Sequence, residues 1–584
     1  MDEPENKDIT IAEPPQAEIA TAPLRTNRTP VALVAGVVCL LVSLLIYVLR
    51  LDRIIGMFVD DAWYVLLAKA LATGQGYTLL NSPSPGILPL YPPAFPFLLS
   101  LVYRLSPSFP ENLQLLKAVS IVAMLGAGVV AYRYFLRERE LPWFLALGLA
   151  TAMVLSPPLV FLATSTVMSE CVFTLVFLLT IWVSERCVRV GKTGQAWRYA
   201  VLGGALAAVA FLTRSVAIGL VAAVFIYLLK ERLLRPALIF ALVVGALTGP
   251  WIIYSQRHAP TLEHQREQGG YIVQPYSQQF WQRQAGASPF DTVGVADLPA
   301  RVWNNSVLIA GRDVGRIILT PLYEMFSDPL RAPRGQKAQA DTFGGSTWLP
   351  SFILSILVVL GFVSVARQKL TSAEIAVPLS LAITVLWPWD TFRLVLPVLP
   401  FLFFYFLMGC RAIYQFYQQR RGSLQPRAQW AVLGVLIASI LALNLYANVY
   451  YISRKFSSSP LDRPVWLRAF DELEVMLKWI DRELPKEYVI ATPSPPLINL
   501  YTGHKTLSAF EPTTNWANWN RLNVRYVART IIFDAPEPFE RQLKTIYRSA
   551  GEQNFRVIDL GPPAERPILG TGNSSAPVKP ETNQ

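Results

Sequence analysis

The chain predicts a polytopic α-helical membrane protein with a small α/β domain at its C-terminal end. Three observations predict it. The 584 residues are 53% hydrophobic and 16% charged, with a mean hydropathy of +0.36, where a soluble domain carries roughly a quarter charged residues. Apolar runs of roughly twenty residues recur, the length that crosses a hydrocarbon core as helix. After Tyr451 these runs stop, and helix- and strand-period patterns of soluble length take over. The formal charge of +12 does not mark a nucleic-acid binder. The Lys and Arg gather in short loops between the runs, where they set the orientation of a membrane protein.

The elements follow in order. Residues 1–30 are rich in Pro, Glu, Ala and Thr and predict a disordered cytoplasmic N-terminus. The run 31–49 is long enough to span, shows no cleavage pattern and follows Arg25 and Arg28, so it reads as an uncleaved anchor. Further spans are expected near 112–135, 142–163, 166–185, 198–213, 215–230, 236–254, 348–366, 373–389, 393–413 and 430–451, about eleven in all. Alternate loops are basic, carrying Arg133, Arg137 and Arg139, then Arg186, Arg189, Lys192 and Arg198, then Lys230, Arg232 and Arg235. The next two basic loops hold Arg367 and Lys369, then Arg411, Arg420, Arg421 and Arg427. These loops are assigned to the cytoplasm. The loops 50–111 and 255–347 and the C-terminal end then face outward. The membrane domain is expected over 31–454, the extracytoplasmic α/β domain over 455–567 and a disordered tail over 568–584.

Within the first outward loop, Asp60 and Asp61 precede Trp63, Leu66, Leu67, Ala70 and Leu71, one face of a helix that stops at Thr73-Gly74. This pattern predicts an amphipathic helix along the membrane surface with two carboxylates at its start, at the mouth of an active site. The loop 255–347 is too long for a connector. His258, Tyr271, Tyr276, Phe280 and Trp281 punctuate it, and residues 297–319 look helical, with Arg301, Arg312 and Arg316, so it reads as an ordered lid. Beyond it, Trp466, Phe470, Leu473, Leu477, Ile480 and Leu484 recur at helical spacing. Strand-like runs follow at 488–491, 526–533 and 556–560, with a charged helix expected near 538–548.

Cys39, Cys171, Cys187 and Cys410 lie in or beside spans and form no disulfide framework or zinc spacing. His258, His264 and His504 read as solvated loop residues. The charges that need a reason are those near membrane depth. They are Asp60–Asp61, Glu170 in M-S-E-C-V-F, Arg214 in L-T-R-S-V, and Arg393 in W-P-W-D-T-F-R-L-V-L-P. Arginines suit a phosphate because their planar fork makes paired charge-assisted hydrogen bonds. Carboxylates suit either a general base or the holding of a divalent cation, Mg or Mn, for which Asp61 and Glu170 are the candidate ligands. Capping of a helix by Asp60 or Asp61 and snorkelling of the arginines are the structural alternatives.

F-V-D-D-A-W-Y-V-L-L-A-K-A-L-A-T-G-Q-G-Y, Y-P-P-A-F-P-F-L-L, M-S-E-C-V-F, L-T-R-S-V and F-R-L-V-L-P-V-L-P together resemble the GT-C superfamily of membrane glycosyltransferases, over residues 31–450. The branch it resembles includes protein O-mannosyltransferases and lipid A aminoarabinose transferases. The resemblance implies transfer of a sugar from a polyprenyl-phosphate donor to a protein, lipid or glycan acceptor. It implies an essential acid in the first outward loop, Asp61 by preference or Asp60, and a second at Glu170. The aminoarabinose transferases carry a lysine where Tyr91 stands here, before Pro92 and Pro93. Tyr91 therefore occupies the donor-phosphate position without a charge, and Arg214 and Arg393 become the cations for it. A lipid-linked sugar flippase and a glycan polymerase or ligase using diphosphate-linked donors are the rival readings. The flippase expects polar residues in mid-span and a repeat between halves, and neither is evident.

Overall fold

The computed structural model describes residues 29–56, 60–84, 91–191, 194–262, 264–265, 273–283, 292–319, 348–421, 426–509, 516–530, 543–551 and 553–563. The disordered segments expected at the two ends, and Tyr271, lie outside these residues. The membrane part begins with α1 (Thr29–Arg50), α2 (Asp60–Ala72), α3 (Ala94–Leu105), α4 (Leu113–Arg137), α5 (Trp143–Val154) and α6 (Pro157–Thr164). It continues with α7 (Glu170–Arg189), α8 (Ala196–Thr213), α9 (Ile218–Lys230) and α10 (Leu234–Arg257). The long second loop contributes α11 (Tyr276–Phe280), α12 (Leu298–Leu308), a π-helical turn (Ile309–Asp313) and α13 (Val314–Ile318). Then come α14 (Trp348–Gln368), α15 (Ser372–Leu386), α16 (Thr391–Val395), α17 (Leu399–Arg421) and α18 (Pro426–Lys455).

Eight helices among the described residues are long and apolar enough to cross a membrane, and nine if α5 and α6 count as one bent span. All eleven stretches read as spans from the sequence are helical: eight as these long helices and one as the bent pair. The bend of 49° between α5 and α6 falls at Ser156-Pro157-Pro158, where proline removes helix donors and clashes with the preceding turn. The other two expected spans are the shorter apolar helices Ser215–Lys230 and Ser372–Leu386. At 1.5 Å per residue, the 15 residues of α15 reach about 22 Å, short of the roughly 30 Å hydrocarbon core.

Small residues set one close helix crossing. Gly361 of α14 lies against the backbone of α17, so that a Cβ there would overlap the carbonyl oxygen of Tyr405. Gly409 likewise faces the carbonyl of Leu357. Without a hydrophobic force between helices in lipid, such backbone contact is what holds them. We predict that Gly361→Ala destabilises the protein by about 2–3 kcal/mol, at the upper end of overpacking costs, because backbone cannot move aside as a side chain would. Thermal unfolding in detergent checks this, and unchanged melting would contradict the crossing.

At the end of the bundle where α4 and α7 finish, Arg139 pairs with Glu185 at 3.4 Å and Glu374 at 3.0 Å. Tyr134 and Tyr405 donate to these two carboxylates at 2.9 Å each. All the partners are buried or nearly so, and their hydrogen bonds make a closed polar staple among α4, α7, α15 and α17. The functional residues lie at the opposite end.

The C-terminal unit consists of α19 (Val465–Glu483), β1 (Val489–Thr492), α20 (Pro495–Thr502), β2 (Thr506–Ser508), α21 (Trp516–Arg521), β3 (Val524–Arg529), β4 (Lys544–Arg548) and β5 (Arg556–Asp559). The sheet order is β2-β1-β3-β5-β4, with β1 parallel to β2 and β3, and β5 antiparallel to β3 and β4. The apolar stripe of α19, including Phe470, Leu473, Leu477 and Ile480, is buried as its period predicts. Lys544–Arg548 is a strand, not part of the expected charged helix; the β-favouring Thr545 and Tyr547 pair with β5, and Ile546 sits in the register shift between them. His504 is buried, not solvated, with its ring against Thr502 and the Leu484 carbonyl, whereas His258 and His264 are exposed.

Candidate active site

The acid pair stands at the first turn of α2, which is not a surface helix. Ten of its thirteen residues are buried, including Ala62, Val65 and Ala68 on the face expected to be polar. Tertiary cover replaces the membrane surface: α3 packs on one side and α20 of the C-terminal unit on another. Small and apolar residues around the whole helix permit this, a pattern that marks a buried helix.

The two aspartates point in different directions. Asp60 Oδ2 lies 2.6 Å from Arg393 Nη2, and Tyr91 donates to Asp60 Oδ1 at 2.5 Å. Asp61 is fully buried; its Oδ2 accepts from the Gly56 amide at 2.9 Å and its Oδ1 from the Ala62 amide at 3.0 Å. Asp60 lines the cavity described below and Asp61 does not. The preference for Asp61 as the reacting acid therefore lacks the geometry, because Asp60 lines the cavity and Asp61, turned to the Gly56 and Ala62 amides, does not.

Burial pushes the Asp61 carboxyl up to about 6, with the two backbone amides and Lys117 opposing the shift and Asp60 adding to it. The folded state thus holds this proton more tightly than the unfolded chain. Its contribution to stability is fully present below about pH 4, and is lost as pH rises through 6. The loss by pH 7 is on the order of 3 kcal/mol. We predict that the melting temperature of the wild type falls relative to that of Asp61→Asn between pH 4 and 6, and that the gap is constant above about pH 7. Parallel melting curves across that range would contradict the burial of an ionisable Asp61.

The other charged groups sit where helices start or break. Glu170 is the first residue of α7, where the helix dipole favours an anion. Arg214 is extended in the break between α8 and the turn leading into α9. Arg393 is on α16, which is capped by Asp390 Oδ1 accepting from the Phe392 amide at 3.0 Å. Arg393 Nε lies 2.6 Å and Arg214 Nη1 2.9 Å from Glu170 Oε1. These are ion pairs by distance, although neither is aligned as a hydrogen bond. Arg214 also donates to Ser169 Oγ at 3.1 Å, and Tyr64 OH is 3.1 Å from the same hydroxyl. One guanidinium, Arg393, therefore bridges two acids that are 110 residues apart in the chain.

A cavity of about 360 Å³ opens beside this cluster. Its polar end is formed by Asp60, Tyr64, Tyr91, Arg214 and Arg393. Val216, Ile218, Ile383 and Leu394 make an apolar wall, and Tyr276, Trp387 and Trp389 an aromatic one. Asp390 and Gln279 also line it. Glu170 does not line it; fully buried, it stands behind the arginines as their counter-ion. The long second loop reaches the site: Asn305 donates to the Val385 and Trp387 carbonyls, and Arg312 pairs with Asp390 at 2.9 Å.

A divalent cation finds no fit among these groups. Both oxygens of Asp60 and of Asp61 have donors, and Glu170 faces two guanidinium groups. Among the described residues, no three His, Cys, Asp or Glu side chains stand together. The pairing of Asp61 with Glu170 as metal ligands is not supported by this geometry.

Sequence reasoning missed several participants. Tyr64 and Ser169 lie within the quoted motifs but carry no charge to draw notice. Trp387, Trp389 and Asp390 lie in the quoted W-P-W-D, whose aromatic density was the available signal. Lys117, fully buried and 3.0 Å from Asp52, is a lysine inside an apolar span, a position that itself asks for a partner.

The same arrangement of helices occurs in solved structures. A crystal structure of ArnT from Cupriavidus metallidurans bound to undecaprenyl phosphate is similar over 91% of this chain and 98% of its own, at 14% identity and a TM-score of 0.53. A structure of the same enzyme in the apo state is similar over the same shares, at 12% identity and a TM-score of 0.52. The chain has the GT-C fold. A crystal structure of the Archaeoglobus fulgidus oligosaccharyltransferase, tethered to an acceptor peptide, is a further match to the GT-C fold. It covers 85% of this chain and 68% of its own at 13% identity, with a TM-score of 0.52. Within the GT-C fold, residues 91–254 match the sequence model of the dolichyl-phosphate-mannose-protein mannosyltransferase family. That segment holds Tyr91, Glu170 and Arg214. No curated protein matches the chain.

Proposed function

We propose that the protein is a membrane glycosyltransferase that moves a sugar from a polyprenyl-phosphate donor to an acceptor. The supporting observation is Arg393, which joins Asp60 to Glu170 while facing a cavity with apolar and aromatic walls. An amphiphilic phosphate fits such a space, its charge at the arginines and its chain against Val216, Ile218 and Ile383. The family match at residues 91–254, and the undecaprenyl phosphate bound by the similar ArnT, agree with that class of donor.

In the mechanism, Asp60 takes the proton of the attacking acceptor hydroxyl or amine. The acceptor atom bonds to the anomeric carbon as the carbon–oxygen bond to phosphate breaks. Polyprenyl phosphate leaves with the bonding pair, and Arg214 and Arg393 stabilise its charge. Glu170 keeps both guanidinium groups aimed at that place, and Tyr91 holds Asp60. The basic helix ends lie at the opposite end of the bundle, so positive-inside orientation puts the site on the extracytoplasmic face, with the N-terminus in the cytoplasm. Acceptor class, whether protein, lipid or glycan, and sugar identity follow from the same test.

The test supplies membranes with radiolabelled sugars on undecaprenyl monophosphate and on undecaprenyl diphosphate. Label should become covalently attached from the monophosphate. Preferential use of the diphosphate would favour the polymerase or ligase reading, and movement of label across the membrane without attachment a flippase.

A further inference from the structure

Among the described residues, none of the C-terminal unit lines the cavity, yet that unit grips the segment that carries Asp60 at several points. Arg53, just after α1, pairs with Asp471 at 2.8 Å and Glu474 at 3.2 Å, both on α19. On the far side of α2, the Thr506 amide donates to the Asn81 carbonyl at 2.8 Å, and Lys505 Nζ to the Leu80 carbonyl at 2.8 Å. Between these, Gly56 lies directly on the Leu497 side chain of α20. Its φ is +77°, and a Cβ built on it would stand 2.7 Å from Leu497 Cδ1. Glycine is required there twice over, by the left-handed backbone and by the lack of room.

The Gly56 amide is the group that donates to Asp61 Oδ2. Resting on the transferase reading above, we propose that the C-terminal α/β unit is a positioning element of the active site. Leu497 seats the Gly56 turn, the Gly56 amide holds Asp61, and Asp61 fixes the rotation of the first turn of α2 that aims Asp60 at Arg393. Leu497, Gly56 and Asp61 are thus positioning residues; of these four groups, Asp60 alone lines the cavity. A displacement of about 1 Å at a reacting group costs on the order of a hundredfold in rate, so a loosened seat should be read in turnover. Donor affinity should be spared, because Arg214 follows α8 and Arg393 lies on α16, and Glu170 pairs with both independently of this loop.

The full-length protein in lipid nanodiscs tests this with Leu497→Ala, Gly56→Ala and the double variant. Transfer from undecaprenyl-phosphate sugar should fall about tenfold in kcat for Leu497→Ala and about a hundredfold for Gly56→Ala, with the donor KM within about twofold of wild type. The double variant should be at least about fivefold faster than Gly56→Ala, since the truncated side chain makes room for the new Cβ. Losses that simply multiply, or a kcat within twofold of wild type in every variant, would overturn the proposal. Hydrogen exchange at the Gly56 amide supplies a readout that needs no activity. It should quicken in Leu497→Ala, and unchanged protection would overturn the proposal even if the wild type transferred no sugar, an outcome that would by itself defeat only the transferase reading.

Discussion

Asp60→Asn is expected to lower sugar transfer by about 10³-fold, within the range general-base removal costs, with little change in the amount of folded protein. The substitution keeps the shape and the acceptor for Tyr91, and removes the charge that takes the acceptor's proton. Asp61→Asn is the control that separates the two neighbours. It exchanges one of two backbone-bonded oxygens for an amide, a loss worth about one hydrogen bond and so about tenfold in rate. Measuring kcat/KM for both variants in membranes checks the assignment. An Asp60→Asn enzyme within tenfold of wild type would remove Asp60 from the reaction, and a deeper loss in Asp61→Asn would reverse the roles.

Arg393→Gln is expected to cost both stability and rate. Glu170 is fully exposed to no solvent and would keep a single cation, Arg214. Breaking a buried pair costs about 3–5 kcal/mol when a charge is left behind, and the retained Arg214 places the expected loss near about 3. The rate should fall about 10²–10³-fold, the cost of losing one preorganised contact to developing charge. Arg393→Lys restores the charge without the fork. One ammonium cannot reproduce the Nε contact to Glu170 and the Nη2 contact to Asp60 together. It should recover stability more than rate. Melting curves and transfer rates of the two variants check this, and equal rates for Arg393→Lys and wild type would show that the fork is immaterial.

Much of this site was legible before the fold. Asp60, Glu170, Arg214 and Arg393 drew notice because charge near membrane depth is costly and demands a partner. Which partner each one takes was not legible. Asp60 and Asp61 are adjacent and chemically equal in the sequence; only the Gly56 turn beneath Leu497 makes one a buried anchor and leaves the other in the cavity. The helix that carries them reads as an interfacial amphipath from its apolar stripe; Ala62, Val65 and Ala68 allow its other face to be buried, but its own thirteen residues do not say that the cover is α20, more than four hundred positions later.

What the sequence by itself determined is the membrane class, the lengths of the long spans and the inventory of charges at one rim of the bundle. These follow from the free energy of moving apolar and ionic groups between water and lipid, which each stretch of chain carries locally. The tertiary structure alone decided the pairing of Arg393 with two distant acids, the aromatic wall and the grip of the C-terminal unit on the first loop. Those depend on directions of side chains brought together by packing, and direction is a property that no single stretch of sequence possesses.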